Sequence, residues 1–435
     1  MKKKRTTGFH VVTTFSTRIL VLFGSFIVSV LLARLLGPEG QGVVAAIFVV
    51  PNIIISIGDL GIRQASAYFI GRKLYSIKDV ISSNMLLWVI TSVISMSIVA
   101  VYYSTGYIQK YGVFIIILAL IFIPIKLLTS YFGGVIQGTQ KISNINLKEL
   151  ISLTIQLFSI LLLVWYFNMG VKGAVLTTLI VASVGLFYYI IVVSKLSVIK
   201  IKYINPIPQE LFKRGIAFAL ALFILTLNYK IDILFLEKMV TSAEVGIYSV
   251  GTSLAELIWQ LPAAISLVLF ARSANSKSDN EAHQRSAKLL RMTLPILLVV
   301  SIIFSVISSQ LITLIYGQEY QQSAQIINIL LPGVFIIVIS KILHPDLAAR
   351  GYPLYGLYVF IGPLIFNVIL NMIWIPHYGN QGAAWASTIS YAIGGFTYGI
   401  VYSKKVGIKL RDLFFLNKKD IILIKSILKN VLHFK

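Results

Sequence analysis

The sequence repeatedly offers about twenty consecutive apolar residues, the length at which a helix crosses roughly 30 Å of hydrocarbon. Runs such as residues 114–123 and 294–303 are apolar around the whole circumference of a helix. That pattern excludes a barrel, whose strands alternate polar and apolar every second residue, and leaves helices that satisfy their own backbone groups. With 57% of its residues hydrophobic and only 12% charged, the chain has lipid as its solvent over most of its length, since soluble domains stop near half apolar.

Spans are predicted near residues 11–36, 43–70, 80–103, 112–133, 144–167 and 172–194. A second set lies near 214–238, 245–270, 287–315, 324–349, 353–375 and 381–403. The fold class expected is therefore an all-α integral membrane protein of about twelve transmembrane helices. The net charge of +23 would suit nucleic acid in a soluble protein, but here the basic residues sit mostly between spans. If Met1 lies in the cytoplasm, the inside segments hold 29 of the 38 lysines and arginines, among them Lys148, Arg291 and Arg350, whereas the outside loops hold only Lys110, Lys172 and Lys238. The positive-inside rule then places both termini in the cytoplasm and makes the chain a multi-pass protein of the cytoplasmic membrane. The first apolar run is too long for a signal peptide and lacks a small-residue cleavage site. Ile424, Ile427, Leu428, Val431 and Leu432 share one helical stripe in the basic tail, which suits either a helix on anionic headgroups or a frayed end.

Glycine motifs recur at the same place in a six-helix unit. Gly170-Val171-Lys172-Gly173-Ala174 opens the sixth span and Gly379-Asn380-Gln381-Gly382-Ala383 the twelfth, while Gly42 after the first outside turn has a counterpart in Gly246. Gln137-Gly138 leaves the fourth span as Arg350-Gly351 leaves the tenth. The chain thus divides into a six-helix half at 1–194, a cytoplasmic linker at 195–213, a second half of like orientation at 214–403, and a basic tail at 404–435. Two parallel six-helix repeats are a transporter plan, with a path between halves and alternating access.

The chain has no cysteine, and its five histidines lack ligand spacing, so thiolate metal sites, iron–sulfur clusters and disulfides are excluded and no cofactor or metal is expected. The functional shortlist is the ionisable set inside the spans, where each charge costs at least about 2.5 kcal/mol on insertion scales. Arg18, Lys126, Lys230 and Lys341 have no acid three or four residues away, and local pairing does not explain them. Asp59 and Arg63 stand four apart and admit either mutual neutralisation on one helix face or a ligand role. Asp232 suits a cap or a pair within its own half as well as a ligand, and Glu256, just before Trp259-Gln260-Leu261-Pro262, suits freed backbone or a bound cation. Arg34 and Glu237, near span ends, read as snorkelling, and His344, before Pro345, reads as a packed neutral ring with a proton relay as the alternative. Because the unpaired set is basic, a path it lines attracts anions, and phosphate or diphosphate above all.

The chain resembles the polysaccharide and O-antigen flippases of the multidrug/oligosaccharidyl-lipid/polysaccharide exporter superfamily. The resemblance rests on Leu36-Gly37-Pro38-Glu39-Gly40-Gln41-Gly42, Gly58-Asp59-Leu60-Gly61-Ile62-Arg63-Gln64-Ala65, Tyr229-Lys230-Ile231-Asp232, Glu244-Val245-Gly246-Ile247-Tyr248 and Leu330-Leu331-Pro332-Gly333, in that order along the chain. It implies a V-shaped, MATE-like pair of six-helix lobes that moves undecaprenyl-diphosphate-linked oligosaccharide between leaflets for surface polysaccharide biosynthesis. It also implies that the diphosphate sits near Arg18, Arg63, Lys126, Lys230 and Lys341, that the lipid-linked glycan and the bilayer are its partners, and that glycan polymerase machinery works beside it. Asp59, Asp232 and Glu256 keep open a MATE-type drug antiporter driven by H+ or Na+, in which they would be coupling acids. Lipid II flippases usually carry two further helices, which are not found in this sequence. A membrane glycan polymerase or glycosyltransferase would need a large extramembrane loop, and the longest here is about nineteen residues, so no catalytic residue is expected.

Overall fold

A backbone in hydrocarbon finds no water to bond with, so each apolar run closes its own hydrogen bonds as a helix. The computed structural model describes residues 7–263, 265–266, 269, 278–352, 354–417 and 420; these are helical almost throughout, with no strand among them. In chain order the helices are α1 (Thr7–Gly58), α2 (Ile62–Gly71), α3 (Ile77–Ser104), α4 (Tyr107–Tyr111), α5 (Val113–Gly138), α6 (Ile142–Ser159) and α7 (Gly170–Ser194). They continue with α8 (Ile207–Met239), α9 (Ser242–Ala255), α10 (Asp279–Ile315), α11 (Gln322–Ala349), α12 (Leu354–Val406) and α13 (Leu410–Phe414). A π turn at Ile160–Tyr166 prolongs α6, and a 3-10 turn at Glu256–Trp259 follows α9. Among the described residues, nine helical segments are long and apolar enough to cross a membrane. The apolar stripe expected in the tail at Ile424 to Leu432 lies outside the described residues.

Two of the long helices each cover two expected spans. The first breaks at Gly37 (φ 67°, ψ 177°) and resumes at Pro38, whose missing N–H costs nothing in a first turn; α12 breaks at Gly379 (φ 54°, ψ −133°). A further break was not visible in the hydropathy of the second span. After Gly58 the chain takes positive φ at Leu60 (50°) and Gly61 (64°) before α2 begins at Ile62. Asp59 and Arg63 therefore flank a turn and do not share one helix face, which corrects the i, i+4 geometry read from their spacing. The other shift is at α8, which starts at Ile207, inside the expected linker, because Pro208 suits the first turn and Ile207 and Leu211 are buried.

The chain packs as two compact units, Met1–Ser249 with Ile315–Glu319, and Val250–Leu314 with Tyr320–Lys435. These divide the chain elsewhere than the sequence halves do, since α8 and the start of α9 lie against α1 and α2 in the first unit. That contact is made main chain to main chain. A methyl group on Gly42 would overlap the carbonyl oxygen of Ser242, and one on Gly246 would overlap that of Pro38. The same offset separates Pro38 from Ser242 and Gly42 from Gly246, so the crossing is its own image under exchange of the two sequence halves, as in an isologous interface. Small residues at crossings let helices approach without a hydrophobic drive, which lipid cannot supply.

The repeat is equally plain in turn geometry. Gly170 and Gly379 both take positive φ (53° and 54°), and three residues on, Gly173 and Gly382 both lie against a preceding carbonyl, where a Cβ would come 3.0 Å from Leu163 O and 2.5 Å from Trp374 O. In the second unit α11 is the core helix, with 67% of its apolar window buried against 28% for α10. Exposed Leu298, Val299, Ile302, Ile303 and Val306 give α10 a broad apolar outer face, as a helix set against lipid requires.

Candidate functional site

The in-span ionisable residues fall into separate groups. In the first unit, Asp59 is buried at the break between α1 and α2, where it accepts hydrogen bonds from the Ser130 hydroxyl and from the backbone of Gly61 and Arg63. The carboxylate is thus held by the turn it sits in, and the charge of the exposed Arg63 side chain still attracts it. Asp232 is buried on α8 and accepts from Tyr248 Oη of α9 and from the Ile233 backbone N–H at 2.9 Å, so it makes a pair within its own sequence half. Neighbouring Lys230 is half-buried and Arg18 on α1 is exposed.

Lys126 is half-buried on α5 beside Pro124, with its ammonium 5.4 Å from the Phe122 ring. It faces a cavity of about 250 Å³ bounded by α5, α6 and α7. Lys148, Glu149, Ser152, Gln156 and Thr178 share that cavity, and Lys148 donates to Glu149 Oε1 at 3.2 Å. Among the described residues the structure thus brings Lys126 together with Lys148, whose place near a span boundary in the sequence suits a loop charge. None of the ion pairs made by described residues includes Arg18, Arg63, Lys126 or Lys230.

In the second unit Lys341 lies with its ammonium 3.8 Å from the Trp259 ring, in the electrostatic field of Glu256 one turn before that tryptophan. Pro345 has no N–H to give to the Lys341 carbonyl, and Ser266 Oγ donates to it instead. The 3-10 turn Glu256–Trp259 therefore gives Lys341 both an aromatic face and a nearby carboxylate, an arrangement no local spacing in the sequence indicated. His344 is packed as expected, with its Nδ1 3.0 Å from Tyr398 Oη.

Four further polar centres owe their partners to packing that the sequence does not show. Glu237, expected to snorkel, is buried and accepts from Lys110 Nζ (2.8 Å), Tyr111 Oη (3.0 Å) and Tyr107 Oη, which ties the end of α8 to α4. Arg34 donates through Nε to the carbonyl of Ile315 at 2.8 Å and so caps the C-terminus of α10. Asp346 is fully buried, 2.6 Å from His283 Nδ1 and 2.7 Å from Tyr402 Oη, with Arg350 Nε at 3.8 Å. Arg291, counted as a loop charge, is buried and pairs with Asp420 at 2.9 Å. No group of three or more metal-ligating side chains occurs among the described residues.

Chemically, two features stand out: cations within the long apolar helices, and the carboxylates of Asp59 and Asp232 held by hydroxyl and amide donors. A region of 183 residues, 41% of the chain, is 23% identical to the "Probable low-salt glycan biosynthesis flippase" of Haloferax volcanii, and spans 39% of that relative's length. Over 65% of the chain the sequence is 22% identical to the "Putative O-antigen transporter" of Shigella flexneri, and spans 68% of it. The fold is that of a solved multidrug resistance MATE family transporter of the MOP superfamily in its inward-facing conformation, with a TM-score of 0.69 at 14% identity over 91% of this chain and 98% of that one. The description "Polysaccharide biosynthesis protein" belongs to a family whose pattern runs through residues 31–325, well over half of the chain, and this protein is a member of that family.

Proposed function

We propose that the protein is a flippase that carries undecaprenyl-diphosphate-linked oligosaccharide repeat units across the cytoplasmic membrane by alternating access, with both termini in the cytoplasm and no catalytic step of its own. The observation that carries this reading is the sign of the unneutralised charge. Lys126 and Lys230 stand half-buried in apolar helices without an ion pair among the described residues, whereas Asp59 and Asp232 are occupied by Ser130 and Tyr248. A helix that keeps an ammonium in hydrocarbon favours an anion that completes it. Family membership and the names of the two relatives point to the same class of cargo. In this reading Arg18, Arg63, Lys126, Lys230 and Lys341 attract the diphosphate, and glycan polymerase machinery takes up the exported unit.

The competing readings are a cation-coupled drug antiporter, which needs Asp59, Asp232 or Glu256 free to bind a cation, and a lipid II flippase. The experiment is reconstitution of the purified chain into vesicles with fluorescent lipid-diphosphate oligosaccharides, scored by exposure on the far leaflet. Flipping of O-antigen-type units that falls in the Lys126→Ala and Lys230→Ala variants but survives Glu256→Gln supports the proposal. Dye efflux abolished by Glu256→Gln, with the lysine variants normal, favours the antiporter, and flipping confined to lipid II favours the third reading.

A further inference from the structure

The cavity between α5, α6 and α7 carries more than the sequence shortlist assigned to it. Lys148 lies in the first half of α6, and its side chain is only 16% exposed, turned inward to the space that Lys126 faces. Its companion Glu149 is 47% exposed, so water shares that carboxylate and discounts what it neutralises. Two ammonium groups and one solvent-shared carboxylate leave the lining positive. Ser152 supplies an independent sign: the residue is 8% exposed, it lines the cavity, and its hydroxyl has no hydrogen-bond partner among the described residues. Buried hydroxyls are as a rule bonded, and of the five left without a partner among the described residues (Ser83, Ser92, Ser152, Thr177 and Ser301) this is the one that lines the cavity, so its donor is placed for an acceptor that enters there. Opposite them, α7 presents Gly185, where a Cβ would stand 2.9 Å from Lys148 Cε and 3.4 Å from Ser152 Oγ. The missing side chain leaves the lysine stem its course into the cavity.

A cavity of about 250 Å³ has room for a diphosphate or one sugar ring. We infer that this cavity is an anion subsite for the substrate, in which Lys148 and Lys126 bind anionic oxygens and Ser152 Oγ donates to one of them. The inference rests on the flippase reading and deepens it by adding Lys148 and Ser152 to the binding residues. The anionic oxygens could belong to the diphosphate or to the carboxylate of an acidic sugar.

The test is equilibrium binding by the full chain in lipid nanodiscs of three probes: farnesyl-diphosphate-linked N-acetylglucosamine, a diphosphate-free farnesyl glucuronic acid, and neutral farnesyl N-acetylglucosamine. Lys148→Ala is expected to weaken an anionic probe about ten-fold or more, Lys148→Arg less, and Ser152→Ala several-fold, with the neutral probe unmoved. Loss confined to the diphosphate probe or to the glucuronic acid probe assigns the source of the anion. If Lys148→Ala does not fold, Gly185→Ala, which crowds the same lysine, is expected to weaken the same probe. Unchanged affinity for both anionic probes in folded variants, with wild-type flipping intact, overturns the subsite alone. A wild type that neither binds these probes nor flips the lipid overturns the function as well.

Discussion

Replacing Glu237 with alanine should loosen the first unit by about 2–3 kcal/mol, and the ion pair should supply the smaller share of that loss. The carboxylate is 5% exposed and receives three donors, but the donors differ in what they lose. Lys110 is 45% exposed and turns to water when released, so its share is at most about 1 kcal/mol. Tyr107 is buried and keeps a partner in Tyr102 Oη at 2.7 Å, while half-buried Tyr111 is left with water alone. Hydrogen bonds to a charged group are worth about 1.5–3 kcal/mol each, and the two tyrosine bonds are partly offset by the relief of no longer burying a carboxylate. Glu237→Gln keeps one acceptor and should lose about half as much. The assay is reversible unfolding of the solubilised protein in mixed micelles, with Lys110→Ala and the double variant measured alongside. Lys110→Ala costing more than Glu237→Ala, or Glu237→Ala costing under about 0.5 kcal/mol, would refute the assignment of this centre to the tyrosines.

Arg291→Ala should strand a buried Asp420 at a cost of about 3–5 kcal/mol and expose the segment at residues 412–417 to limited proteolysis; wild-type cleavage kinetics would count against the structural role of this pair. Trp259→Leu should cost the aromatic face over Lys341, about 2 kcal/mol in a desolvated setting, and lower thermal stability more than Trp165→Leu, an exposed tryptophan; equal shifts would refute it. Reporters fused after Arg5, within residues 195–213 and after Lys435 should all report the cytoplasm, and one external signal would break the topology.

Span positions were legible because membrane insertion is decided by local hydropathy. The ends of α5 and α7 and the breaks at Gly37 and Gly379 fall within a few residues of where apolar runs and glycines place them. The break at Leu60-Gly61 was not, since positive φ leaves no trace in hydropathy and Leu60 reads as one more apolar residue. Partners distant in sequence were equally invisible. Glu237 meets Lys110, Arg34 meets the Ile315 carbonyl, and Asp346 gathers His283 and Tyr402, so none of these charges shows its partner until the helices are packed. Lys148 shows the complementary limit: a lysine near a predicted boundary counts as topology, and only the α5–α6–α7 packing turns it inward.

The reciprocal crossing at Gly42 and Gly246 has a genetic consequence. Each glycine abuts a main-chain carbonyl oxygen of the opposite helix, so an alanine at either position meets main chain and has no side chain to push aside. Its partner is already the smallest residue there is. A lesion at Gly42 therefore has no suppressor at Gly246, and revertants selected for restored function should be true reversions, or substitutions that move the crossing point of the two helices. In a lineage the two positions are bound together like a lock cut on both faces, where neither half can change first.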